Sequence, residues 1–187
     1  VHLRDIKEEF IQAGIDKIKW SLDKLTQKGR ISQEDANAAL GRIKSFVPLA
    51  DAVKDVDFVI EAIPEKLDLK RETFKEVDAN VPEHAILASN TSALPISEIA
   101  AATARPERVV GMHFFNPPQI MRLVEVVKGD KTSDEVAKAT AELAQKFGKD
   151  PVMVNKDVPG FIANRCSVAG SNLVYWMVYN GEYTVEE

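Results

Sequence analysis

From about Lys7 to Gln27, Ile11, Ile15, Ile18, Leu22 and Leu25 recur at steps of four, three, four and three. This spacing places them on one face of a helix that Gly29 is suited to end. Val1 to Ile6, before it, reads as a short strand with Asp5 at its tip. Ser32 with Asp35 three residues on predicts a second helix reaching about Phe46, so the two helices form an antiparallel pair. The run VDFVIEAI (Val56 to Ile63) predicts a strand, followed by a helix through Leu69, Phe74 and Val77. HAILASN gives a strand from about Ala85 to Ser89, and PISEIAAAT a short helix with Pro95 in its first turn. RVVGMHFF and RLVEVV are two further strands. Thr132 and Glu135 have capping-box spacing for a helix ending near Gly148. PVMVN is a last short strand, and Pro159 opens a long helix ending near Gly181.

Alternating strands and helices predict an α/β fold with a mainly parallel sheet, to which the early helical pair is an addition. No repeat or low-complexity linker divides the chain, so residues 1–187 are expected to form a single domain. The formal charge is −5 with no basic block, which argues against nucleic acid as a partner. No apolar stretch approaches the roughly 20 residues that span a bilayer, so no membrane partner is expected. VHLRDIKEEF lacks the apolar segment and cleavage site of a signal peptide. Cys166 is the only cysteine, which leaves no intrachain disulfide and no thiolate metal cluster, and fits a reducing compartment. In GFIANRCSVAG it is expected to be a buried small hydrophobe. Both ends look cut: Thr184–Val185–Glu186–Glu187 has the form of a helix start that is not continued.

Four places carry candidate chemistry. Asp5 at a strand tip matches the position of the carboxylate that bonds ribose hydroxyls in a dinucleotide fold, although a turn accounts for it as well. That acid normally follows a G-x-G-x-x-G loop by about 20 residues. Only four residues precede Asp5, and none of the nine glycines stands two residues from another, so the loop is missing. Ser89, Asn90, Thr91 and Ser92 follow an apolar strand, where ligands bind in open α/β sheets; the same hydroxyls also fit a turn that caps the next helix. His113 and Glu125 interrupt two apolar strands. Antiparallel pairing about a loop centred on Gln119 sets them opposite each other, about 5 Å apart at Cβ. A carboxylate there fixes the imidazole tautomer and stabilises the imidazolium, as a general base requires. Asn164 falls in the first turns of the last helix, where its amide can donate to a carbonyl or serve as an ordinary polar residue. His2 and His84 have no comparable partner in the sequence and read as surface or strand-edge residues.

IEAIPE, SNTSALPISEIA, GMHFFNPPQIMRLVEVV and KDVPGFIANR, in this order, closely resemble the NAD-binding domain of the 3-hydroxyacyl-CoA dehydrogenase family. The resemblance covers essentially the whole chain, the helical pair included. It implies a Rossmann-like doubly wound sheet and NAD-dependent interconversion of a 3-hydroxyacyl-CoA and its 3-keto form in β-oxidation. By this resemblance His113 takes the hydroxyl proton, Glu125 orients it, and Ser92 and Asn164 contact the region of the reacting oxygen. Asp5, Glu65, Lys70, Ser92 and Asn116 match positions near the cofactor. Lys17, Lys19, Lys24, Lys28 and Arg30 could meet the phosphates of CoA, or form a solvated basic face. The family's first strand, glycine loop and C-terminal helical dimerisation domain are missing here. The resemblance therefore implies a homodimeric parent extending in both directions, in the cytoplasm or the mitochondrial matrix of a eukaryote. It also implies that residues 1–187 alone have an incomplete sheet and fold poorly or borrow a strand. A non-catalytic NAD- or CoA-binding module stays open as an alternative. So does a dehydrogenase of free 3-hydroxyacids, although such enzymes usually carry a lysine as base.

Overall fold

The computed structural model describes residues 1–182 and Thr184, so the helix start expected at Thr184–Glu187 lies largely outside the described residues. Within the chain two compact units are distinguished, Val1–Asp57 with Ala79–His84, and Phe58–Asp78 with Ala85 onward. The division does not follow chain order, which is why no linker marks it in the sequence. The first unit contains β1 (His2–Arg4), α1 (Glu8–Gln27), α2 (Gln33–Gly41), β2 (Lys44–Phe46) and α3 (Leu49–Val53). Gly29, at φ 65°, terminates α1, whose Ile11 is buried and whose Ile15, Ile18, Leu22 and Leu25 are half-buried. Ser32 and Asp35 form the expected capping box. The Ser32 hydroxyl, followed by the Ser32 backbone N–H, holds the Asp35 carboxyl below the usual carboxylate range.

The second helix ends earlier than its periodicity suggests. α2 stops at Gly41, and Lys44–Phe46 pairs parallel with β1, from His2↔Lys44 to Arg4↔Phe46. Pro48 disfavours helical geometry at Val47, while the β1 edge offers the following backbone a ladder. The helical pair is thus a crossover between two parallel strands. His2 Nδ1 bonds Ala52 O at 2.8 Å, and His84 Nε2 bonds Asp57 Oδ1 at 2.8 Å on the surface, so both histidines find partners that the sequence did not disclose.

The second unit contains β3 (Phe58–Glu61), α4 (Leu67–Asn80), β4 (Ile86–Ser89), α5 (Ile96–Ala100), β5 (Val109–Phe114), β6 (Leu123–Val127), α6 (Asp134–Lys146), β7 (Asp150–Val154) and α7 (Ala163–Tyr179). Its five strands are ordered β3-β4-β5-β6-β7 and are parallel except for the β5–β6 pair. This mostly parallel sheet with helices is the expected Rossmann-like α/β arrangement. Alternation along β5 and β6 divides the sheet chemically. Met112, Val110, Val124 and Val126 join Val136, Ala137 and Ala144 of α6 in one apolar cluster. Gly111, His113 and Glu125 occupy the other face. A Cβ on Gly111 would lie 2.8 Å from Val127 Cβ and 2.9 Å from Ile96 Cδ1, so its absence lets α5 seat on the sheet.

Three local expectations are corrected. Ser133, not Thr132, caps α6 by accepting from Val136 N–H; Thr132 Oγ1 instead donates to Val109 O at 2.6 Å and accepts from Gly129 N–H. The last helix begins at Ala163, four residues after Pro159, because Gly160 (φ 79°) and Phe161 (φ 51°) are left-handed and form a turn. Phe161 is buried there, at a backbone cost of about 1–3 kcal/mol that its packing must offset. Cys166 is exposed on α7 instead of buried.

Candidate active site

The β5–β6 register places His113 directly opposite Glu125, as the pairing about Gln119 requires. His113 Nδ1–H donates to Glu125 Oε2 at 2.7 Å, and only 4% of His113 and 1% of Glu125 is exposed. A carboxylate this deeply buried is tolerable only when its lone pairs are satisfied. Its second oxygen, Oε1, accepts from Ile162 N–H and Ala163 N–H, both at 2.9 Å. These donors lie at the start of α7, where backbone N–H groups lack intrahelical partners and the helix end favours negative charge. Phe115 and Phe161 flank the ring, at centroid distances of 4.5 and 5.7 Å. With Nδ1 carrying the proton toward Glu125, the lone pair is on Nε2.

Asn164, the second residue of α7, donates from Nδ2 to Ser92 O at 3.0 Å. Ser92 N–H donates to Glu65 Oε1 at 2.9 Å, so the Ser92 backbone is held on both sides. Glu65 Oε1 also accepts from Thr91 Oγ1 and from Ala93 N–H, while Oε2 lies 3.4 Å from Lys70 Nζ. Partial burial pushes the Glu65 carboxyl up, yet the bonds from Thr91 and Ser92 and the charge of Lys70 outweigh it and hold the group below the usual carboxylate range.

Lys70 is 1% exposed and donates to Glu61 Oε1 at 2.6 Å and to Ile63 O at 3.1 Å. Glu61 was not singled out from the sequence. Its signal was the one that marked Glu125: an acid inside an apolar run, here at the end of VDFVIE. Its Oε1 also accepts from Ile63 N–H, and its Oε2 accepts from Ser89 Oγ. Asn90 completes the strand ends, donating from its N–H to Glu61 O and accepting Phe114 N–H at Oδ1.

His113, Glu125, Asn164, Ser92, Glu65 and Lys70 therefore belong to one connected set in the second unit. Asn116 is exposed on the loop after β5, which Lys149 Nζ holds through Pro118 O and Met121 O. Asp5 is in the first unit, just after β1, and its Oδ1 accepts Ile6 N–H. Lys17, Lys19, Lys24, Lys28 and Arg30 are exposed in that unit. Among the described residues no group of three or more His, Cys, Asp or Glu side chains could hold a metal, and no helix is long and apolar enough to cross a membrane.

Residues 1–158 match the family model for the NAD-binding domain of 3-hydroxyacyl-CoA dehydrogenase. The chain belongs to the 3-hydroxyacyl-CoA dehydrogenase family. A probable 3-hydroxybutyryl-CoA dehydrogenase of Bacillus subtilis is 44% identical over 181 residues, which cover 97% of this chain and 62% of that protein. The fatty acid oxidation complex subunit alpha of Pseudomonas savastanoi is 45% identical over 163 residues, 87% of this chain and 22% of the relative. The crystal structure of (S)-3-hydroxybutyryl-CoA dehydrogenase PaaH1 from Ralstonia eutropha superposes with a TM-score of 0.96 at 39% identity, covering all of this chain and 65% of that one. The chain thus spans less than two thirds of the length of each of these relatives, and NAD is the cofactor of the domain it represents.

Proposed function

We propose that the protein carrying this chain interconverts (S)-3-hydroxyacyl-CoA and 3-ketoacyl-CoA with NAD. The observation that carries this reading is the buried His113–Glu125 pair, tied through the start of α7 to Asn164 and Ser92. Each unit, taken by itself, carries residues suited to a part of NAD. Asp5, with Oδ1 engaged by Ile6 N–H, has Oδ2 left for the adenosine ribose hydroxyls. In the other unit, the carboxyl ends of β3, β4 and β5 gather Glu65, Ser92 and the loop that carries Asn116, as suits the nicotinamide half, while the buried Lys70 acts behind them by holding Glu65.

When bound, NAD supplies the hydride acceptor for C3 of the hydroxyacyl group. His113 Nε2 takes the hydroxyl proton in oxidation and returns it to the oxygen in reduction. Glu125 keeps the proton on Nδ1 and balances the charge that the ring takes up. Ser92 Oγ, which makes no hydrogen bond among the described residues, and the Asn164 amide orient the reacting oxygen. Names among the relatives support an acyl-CoA substrate in fatty acid oxidation.

The test is loss of NADH absorbance in the full-length protein given a short 3-ketoacyl-CoA. Turnover is expected with the CoA ester and not with the free 3-keto acid. Equal rates on the two would shift the reading to a free-acid dehydrogenase, and no turnover on either would leave a binding module.

A further inference from the structure

Asp157 spans two backbone donors of α5: Oδ1 accepts Ile96 N–H at 3.0 Å, and Oδ2 accepts Ser97 N–H at 2.6 Å. Its partners lie 61 and 60 residues away in the chain. α5 has no cap of its own, because Pro95 occupies the N-cap position without a side-chain acceptor. A carboxylate from the segment after β7 therefore satisfies the free N–H groups and meets the positive end of the helix.

Both sides of this contact lead to the site. Ser92 precedes Ile96 on one segment. On the other, Asp157 is followed by the left-handed Gly160 and Phe161, then by Ile162 and Ala163, whose N–H groups bind Glu125 Oε1, and by Asn164. Asn164 Nδ2 closes the circuit on Ser92 O. Segments 92–97 and 157–164 are thus bonded at both ends, with Glu125 held by the second. Beneath them there is no slack: Ile96 Cδ1 occupies the space above Gly111, and Ser97 N would be 3.1 Å from a Cβ on Gly129. Released by Asp157, α5 cannot sink into the sheet and can only lift from it.

We propose that Asp157 is a positioning residue for the reaction put forward above, on which this inference rests. Its two-pronged hold on Ile96 and Ser97 fixes the Ser92 loop against the Asn164 turn, so that both reach the reacting oxygen together. Asp157 itself touches none of the reacting atoms.

Asp157→Asn in the full-length protein keeps the shape but removes the charge and one acceptor. We expect kcat with a 3-ketoacyl-CoA to fall about 10- to 100-fold, the scale on which misplacement by an ångström acts. NADH affinity, read by fluorescence titration, should change less than kcat does, because Ser92 is the one cofactor position on the two held segments. Amide exchange should rise across 92–97 and stay unchanged in β5. In a Ser92→Ala background the same substitution should lower kcat by less than about threefold further, because the alignment of the Ser92 hydroxyl with Asn164 that it maintains is already lost. If Asp157→Asn does not fold, Asp157→Glu, which keeps the charge and both oxygens, is measured in the same cycle. A fall in thermal stability with kcat retained, or an equal fall in kcat in both backgrounds, overturns the inference alone. A wild-type protein that does not turn over removes the proposed reaction and the inference with it.

Discussion

Two carboxylates are buried in the five-stranded sheet, Glu61 at the end of β3 and Glu125 within β6; Glu61 accepts one backbone N–H and Glu125 two, and each pairs with a nitrogen base. They differ in what their bases have left over. The Lys70 ammonium meets Glu61, Ile63 O and Glu65, which occupies its three donors. His113 commits one ring nitrogen to Glu125 and keeps a lone pair on the other. A buried charge whose every donor is used orders the chain around it. A buried pair with one valence free can exchange a proton. Burial and charge alone do not separate the two cases; the count of remaining bonds does.

Breaking each pair should therefore fail differently. His113→Gln should reduce turnover by about 10²–10⁴-fold, and Glu125→Gln by a comparable order, with little change in NADH binding by titration. Near-normal rates in either variant would remove the distinction. Glu61→Met should instead unfold the protein more easily, by about 3–5 kcal/mol in urea, because Lys70 is left buried without its main partner. Joint replacement of Glu61 and Lys70 by methionine should recover much of that loss. Gly111→Ala, whose added Cβ would press on both Val127 and Ile96 of α5, should cost about 1–3 kcal/mol in the same urea measurements.

The smallest effect concerns pH. Because the folded Glu65 carboxyl lies below its ordinary range, it contributes stability that is fully present above the unfolded value, about 4.3, and is lost as pH falls through the folded value. Glu65→Gln should flatten the fall in stability below about pH 4.3, read from urea midpoints across an acid series. An unchanged slope would mean that Thr91, Ser92 and Lys70 do not favour the ionised form.

The pairing of His113 with Glu125 was legible because side-chain alternation and a single loop centre leave one register that buries both apolar sets. β2 was not, since KSF is short and continues the periodicity of the helix before it; only the parallel ladder with β1 decides its state. Ser133 and Thr132 are both competent caps, and tertiary bonds to Val109 and Gly129 determine which one is free to act. The delayed start of α7 follows from the left-handed Gly160 and Phe161, which leave the N–H groups of Ile162 and Ala163 to Glu125, 37 and 38 positions earlier. Glu61 carried a visible signal, but its partner lies on a helix whose phase the sequence did not place against the strand.

β6 is the one strand that runs against its neighbour β5, and β7 bonds its other edge. Glu125 therefore reaches His113 from the interior of a strand hydrogen-bonded on both sides, not from a loop tip. An acid on a loop would have to be ordered anew each time it met the imidazole, at an entropic cost of roughly 1–2 kcal/mol for each backbone residue fixed. Here that ordering is completed once, when the sheet forms, and the carboxylate already faces the ring before any substrate arrives.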